Sequence, residues 1–353
     1  MKEFIKSVLL FIIPFVIIVL INLTVDNAYI FRGEKTYDKI GKLIAQGNNI
    51  SNLYNYNEFL TRKYAIKYMK ESPNIVCLGS SRIMQINNTI FDKKFFNMGV
   101  SAITLKEIIA SYNVIYKKGF KPKTIIIGID ASIFLKKKSK LRDFFIDDFN
   151  SFTKDAKLKK SVEIRYSKDK YLELINPVYC FENLKYGKKN FEITKNIFIE
   201  EPVLCFDGSS VFNSRKRNLS QNEVLLETKD QFNRFFYNRF NNMSIDSDLQ
   251  TLFENFIINL KQDHKIIFFL APYHPFLAEK FELNELNGIL KVEKYFKSYS
   301  LKNKIDIIGS FDPEKIEFKP NYSDFYDGIH VKREVIEKLF KNYFDKKQTF
   351  VGI

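Results

Sequence analysis

Apolar runs of two different lengths organise this sequence. The first, Ser7 to Leu23, is apolar apart from Pro14 and Asn22 and follows Lys2 and Lys6. About 17 to 20 such residues are enough to cross a bilayer as a helix. The two lysines would stay on the cytoplasmic side, which puts everything after Leu23 outside the cell. No small-residue cleavage site follows, because Asp26, Asn27 and Tyr29 occupy that region. The pattern therefore predicts a retained, single-pass transmembrane helix within residues 1–28, with the N-terminus cytoplasmic and the main domain extracytoplasmic.

Residues 29–73 are polar, mixed and helix-compatible, broken at Gly47-Asn48-Asn49, with amphipathic spacing over Glu58 to Met69. They read as a stalk leading into the fold. Beyond them the apolar runs become short: Asn74 to Leu78 between Pro73 and Gly79, then Phe95 to Asn97, Thr124 to Ile129, Lys265 to Leu270 and Ile305 to Ile308. Short apolar runs closed by turn residues are the pattern of strands buried on both faces. Ile103 to Tyr116, Leu249 to Leu260, Leu283 to Tyr299 and Arg333 to Phe344 carry helical spacing between and after them. Strand and helix in alternation predict an α/β domain over residues 74–353, built on a central parallel sheet with helices on both faces. From about 136 to 236 the rhythm fails and the residues are charged and aromatic, so this stretch reads as an insertion.

Composition narrows the picture. Hydrophobic residues make up 45% and charged residues 27% of the 353, a globular balance that excludes disorder. A net charge of +15 suggests an acidic partner, but the lysines are scattered, only Lys136 to Lys140 forms a run, and basic and aromatic residues are not interleaved. Nucleic acid is therefore not the expected partner. Lys, Asn, Ile, Phe and Tyr are abundant and Trp is absent. Of the three cysteines, Cys77 sits in a strand pattern and reads as core, while Cys180 and Cys205 could pair outside the cell. His264, His274 and His330 are the only histidines, and no Cys and His cluster has metal-ligand spacing, so no metal or cofactor is expected.

Open parallel sheets bind ligands at the carboxyl ends of their strands. Three polar motifs fall there: Gly79-Ser80-Ser81-Arg82, Asn97-Met98-Gly99, and Asp327-Gly328-Ile329-His330 before the last helix. A serine hydroxyl is a weak nucleophile until a base takes its proton, and imidazole titrates near neutrality. Ser81 as nucleophile, His330 as base and Asp327 as the group that orients the imidazole would make a complete catalytic set. Arg82 reads as a residue paired with a carboxylate or as a contact for an anionic substrate. His274, after the strand ending at Leu270, lines the crevice or is a loop histidine between Pro272 and Pro275. Ser101, Tyr273, Asp324 and Tyr326 are further crevice candidates, and His264 reads as structural.

Gly79-Ser80-Ser81, Gly99 and the closing Asp327-x-x-His330 resemble the blocks of the SGNH or GDSL hydrolase-like superfamily. The resemblance spans about Asn74 to Phe344 and leaves the insertion unmatched. It implies a three-layer α/β/α, flavodoxin-like fold, Ser81 as nucleophile, and an oxyanion hole made by the Ser81 and Gly99 amides. In the third block Gly128-Ile129-Asp130 puts Asp130 where the family carries an Asn that donates to the oxyanion. Ser80, which stands where many members carry Asp, and Arg82 are then candidate partners of Asp130. The N-terminal anchor, Gly-Ser-Ser-Arg and Pro272-Tyr273-His274-Pro275 resemble a membrane-bound branch that includes D-alanine-transfer and polysaccharide O-acetylation proteins. That branch implies an esterase or O-acyltransferase acting on cell-envelope glycan or teichoic acid beside a multi-span membrane acyltransferase. The alternative is a catalytically weakened module of the same fold that binds glycan or scaffolds such a complex.

Overall fold

The computed structural model describes the chain except residues 136–140, 157–168, 188–189, 242, 284 and 352–353. The side chains of 2–5, 7–9, 11, 169–170, 186, 282 and 348–351 also lie outside the described residues, as does the basic run Lys136 to Lys140. The chain opens with helix α1 (Lys2–Thr24), which carries Pro14 in its interior. The apolar run Ser7 to Leu23 falls in α1. Among the described residues no helix is long and apolar enough to cross a membrane.

Helices α2 (Gly33–Ala45) and α3 (Glu58–Tyr68) flank a short strand, β1 (Asn49–Ser51). These residues are not a stalk. Ile40, Ile44, Ile50, Phe59 and Ile66 are buried in the main core, because the amphipathic face of α2 needs an apolar surface to cover and packs against α3. β2 (Ile75–Leu78), β3 (Phe95–Asn97), α4 (Leu105–Lys117) and β4 (Thr124–Gly128) follow. Thr104 and Glu107 close a capping box that starts α4 where the sequence turns from polar to apolar.

The region read as an insertion holds α5 (Asp143–Asp155), α6 (Asp169–Leu172), α7 (Pro177–Tyr186), β5 (Glu192–Thr194), β6 (Val203–Leu204), β7 (Ser210–Val211), α8 (Ser214–Arg217) and α9 (Gln221–Gln231). A single π-helical turn, Phe232–Phe236, joins α9 to α10 (Tyr237–Phe240). The chain then returns through α11 (Ser247–Leu260), β8 (Lys265–Leu270), α12 (Pro275–Glu282), α13 (Asn287–Asn303), β9 (Asp306–Gly309) and α14 (Arg333–Val351).

Two sheets are formed among the described residues. The central one has five strands in the order β3-β2-β4-β8-β9, every neighbouring pair parallel. Its side chains alternate between two cores as the pleat requires. Val76, Leu78, Ile125, Ile127, Ile266, Phe268 and Leu270 face one core, shared with Ile109, Phe253, Phe256 and Phe296. Cys77, Ile126, Ile267 and Phe269 face the other, shared with Ile336 and Phe340 of α14. The chain is thus a mixed α/β protein with helices packed against a parallel sheet. The second sheet, β5-β1-β6-β7, is antiparallel and joins residues before the central sheet to the insertion. Cys77, Cys180 and Cys205 are all free and buried, so the possible pairing of Cys180 with Cys205 is not made.

Candidate active site

Ser81 opens a 3₁₀ turn, Ser81–Ile83, immediately beyond the carboxyl end of β2. Gly79 before it has φ +156°, and a Cβ there would stand 3.0 Å from the Gly128 carbonyl oxygen. Only glycine lets β2 and β4 come this close while the chain turns out of the sheet. Ser80 is buried and its hydroxyl accepts from the Arg82 amide, which pins the turn.

Asp327 and His330 sit in a tight loop closed by a bridge between Phe325 and Val331 and by the Tyr326 amide donating to the His330 carbonyl. The loop brings His330 Nε2 to 2.8 Å from Ser81 Oγ, and His330 Nδ1 to 2.8 Å from Asp327 Oδ2. With the carboxylate accepting at Nδ1, that nitrogen carries the proton and Nε2 is left as the acceptor facing the serine. Asp327 is further held by the amides of Ile329 and His330, each 2.9 Å from Oδ1, and by Lys216 Nζ at 2.9 Å from Oδ2. Its burial pushes the carboxyl pKa up, but the His330 imidazole and the Lys216 ammonium outweigh this and hold it well below the usual carboxylate range.

Lys216 escaped the sequence reading because α8 lies in the insertion and no local pattern ties it to Asp327. It also bridges to Glu227 at 2.8 and 3.0 Å. Phe212, from the same region, packs its ring 5.5 Å from that of His330.

A cavity of about 170 Å³ opens beside the serine, lined in part by Ser80, Ser81, Arg82, Asp130, Tyr273 and Arg239. Arg82 is buried and tightly held: it donates to the carbonyls of Ala271 and Pro272, meets Asp130 Oδ1 at 3.4 Å, and lies 3.9 Å over the Tyr273 ring. These contacts agree with the paired reading of Arg82. Asp130, expected in the place of an oxyanion donor, partners that guanidinium.

His274 does not line this cavity. It is fully buried, its ring packs on Tyr322 and Phe325, and its Nδ1 accepts from the Phe276 amide as the N-cap of α12. A loop that starts a helix after Pro272 turned the imidazole inward. Ser101 bonds Glu58, Asp324 caps its own turn at Asn321, and Tyr326 packs on Phe212, so none of the three lines the cavity either. His264 bridges Tyr112 and the Pro122 carbonyl.

Gly99 requires a correction. Its amide donates to Asn97 Oδ1 at 2.8 Å instead of standing open to the serine. The reason lies in Asn97, which is buried and whose Nδ2 holds the carbonyls of Ile83 and Ile86 at 2.8 and 2.9 Å. Its oxygen then needs a donor, and the amide two residues on supplies it, as in an Asx turn. Among the described residues no acceptor meets the Ser81 amide, which stands at the open end of its 3₁₀ turn.

No protein-family model matches this chain, and no curated protein is similar to it in sequence.

Proposed function

We propose that this chain is a membrane-tethered serine esterase or O-acyltransferase of the SGNH hydrolase-like type. The observation that carries the reading is the relay from Ser81 Oγ through His330 to Asp327, with both hydrogen bonds at 2.8 Å. In this reading His330 takes the Ser81 proton as Oγ bonds to the acyl carbon of an ester. The alcohol then departs with that proton, leaving an acyl-serine. Water or a sugar hydroxyl, deprotonated by His330, releases the acyl group and restores the serine. The strand order β3-β2-β4-β8-β9 is that of flavodoxin-like sheets, and Ser81 and Asp130 follow the two strands at its switch point, which supports the family reading.

A cavity of about 170 Å³ is well below the ~300 Å³ at which pockets for larger ligands begin, and it favours a short acyl group. The tether reading draws support from α1, whose Leu10, Ile12, Ile13, Phe15, Val16, Ile17, Leu20 and Leu23 are all turned outward. A domain held at the membrane surface meets envelope glycan or teichoic acid at high effective concentration, and a multi-span acyltransferase would supply its acyl donor.

The test is covalent labelling of the detergent-solubilised full chain by a fluorophosphonate, beside hydrolysis of p-nitrophenyl acetate. The expected result is stoichiometric labelling, abolished in Ser81→Ala. A folded but unlabelled wild type would sink the enzyme reading. It would favour instead the weakened, glycan-binding module, which the engaged Gly99 amide and the Asp130 carboxylate both support.

A further inference from the structure

Helix α7 turns three large apolar side chains outward, beside the exposed Glu182 and Lys185. Its buried positions are Tyr179, Cys180 and Asn183, whereas Val178, Phe181 and Leu184 are 66%, 66% and 65% exposed. The segment just before it adds Tyr171, Leu172 and Ile175, also exposed. A helix at a water-facing surface has the opposite arrangement. Each of these side chains would be stabilised by leaving water, so a face this size in water forfeits that stabilisation.

The inward face is committed to the end of α1. Asn183 Nδ2 donates to Asn22 Oδ1 at 3.0 Å, and its Oδ1 accepts from the Asn27 amide at 2.8 Å. Tyr179 donates to Asp26 Oδ1 at 2.8 Å. Asn22 Nδ2 in turn meets the carbonyls of Glu173, Leu174 and Asn176 at 2.8 to 3.1 Å. These bonds fix the depth of α7. At ~1.5 Å per residue, α1 from Lys2 to Asn22 spans about 30 Å, one hydrocarbon thickness. The clasp therefore holds α7 level with the last turn of α1, where Leu20 and Leu23 are also exposed.

We infer that residues 171–185 form a second membrane contact, an interfacial segment whose Val178, Phe181 and Leu184 enter the acyl chains beside the outer end of α1. The inference rests on the tether reading of α1. Two contacts instead of one fix the tilt of the catalytic domain and the height of the Ser81 crevice over the bilayer.

The chain contains no tryptophan, so single substitutions report their own surroundings. Phe181→Trp, Ile17→Trp and Leu301→Trp are each placed in the full chain, in vesicles of phosphatidylcholine and phosphatidylglycerol. The acyl chains are either plain or brominated near the headgroup. Phe181→Trp should emit to the blue and lose about half its emission to bromine, as a side chain ~5–10 Å below the headgroups would. Leu301→Trp, 84% exposed on α13, should lose none. Quenching of Ile17→Trp without quenching of Phe181→Trp overturns the inference and leaves the tether standing. A blue-shifted but unquenched Phe181→Trp does the same, since protein, in a second copy or another partner, then covers the face. If Ile17→Trp is unquenched, tether and inference fall together.

Discussion

Asp327 carries four donors: two backbone amides, the His330 ring and Lys216. That concentration keeps it anionic beneath the imidazole. Removing one donor should weaken the relay without emptying it. Lys216→Met is expected to slow fluorophosphonate labelling and lower kcat roughly tenfold, the effect of ~1.4 kcal/mol in the barrier. KM should hold, because Lys216 does not line the cavity. An unchanged labelling rate would show that Lys216 serves only the ion pair with Glu227. Ser81 was legible in the sequence because its motif directly follows a buried strand, and Asp327 and His330 because their three-residue spacing before the last helix sets a carboxylate beside an imidazole. Lys216 was not, because a cation far along the chain leaves no local mark of the carboxylate it will meet. The engaged Gly99 amide was equally hidden, since it follows from the buried partners of Asn97.

Between β2 and β4 the separation is set by Gly79 and Gly128 together. A Cβ on Gly128 would stand 2.1 Å from Ile83 Cγ2. Ile83 belongs to the same 3₁₀ turn as Ser81, so the contact ties sheet spacing to the position of the Ser81 hydroxyl. Gly128→Ala should destabilise the protein by about 1–3 kcal/mol, as overpacking does, and also slow labelling by displacing that turn. Thermal unfolding and the labelling rate read the two effects separately; a variant with a lowered Tm and a wild-type labelling rate would break the proposed link. At this scale the five strands of the central sheet were read nearly residue for residue, because continuous β-branched and aromatic runs have few alternatives. α12 was missed because Pro275 looked like loop, although proline is suited to the first turn of a helix. β6 and β7 are two residues each, too short to show a period.

Burial of the His274 imidazole couples its protonation to the folding of the whole molecule. Burial lowers the pKa of His274 to about 4, while Asp327 nearby pulls the other way. In the unfolded chain the same ring titrates near 6.5. Between these values the unfolded state binds the extra proton, so His274 costs stability as pH falls and costs nothing above that window. About 2 kcal/mol should be lost through it between pH 7 and pH 5. His274→Asn keeps an N-cap acceptor for α12 without a titrating ring, and should flatten the fall in Tm over that range relative to wild type. Equal slopes would mean that His274 is hydrated in the folded state. Asp327, whose pKa is also depressed but from the ordinary carboxylate value, contributes its stability above about pH 4 and loses it only below, outside this window.

The order of these parts along the chain was determined by the sequence alone: an apolar opening segment, short buried strands alternating with helices, a serine after the first buried strand, and an aspartate and a histidine before the last helix. Periodicity and turn residues report on neighbours a few positions apart, and those features are local. Only the tertiary structure decided that residues 29–73 belong to the core, that the insertion brings Lys216 and Phe212 to the relay, that the Gly99 amide is occupied, and that α7 turns large apolar side chains outward. Each depends on which distant segments meet, and that is settled by burial and hydrogen-bond satisfaction across the whole chain.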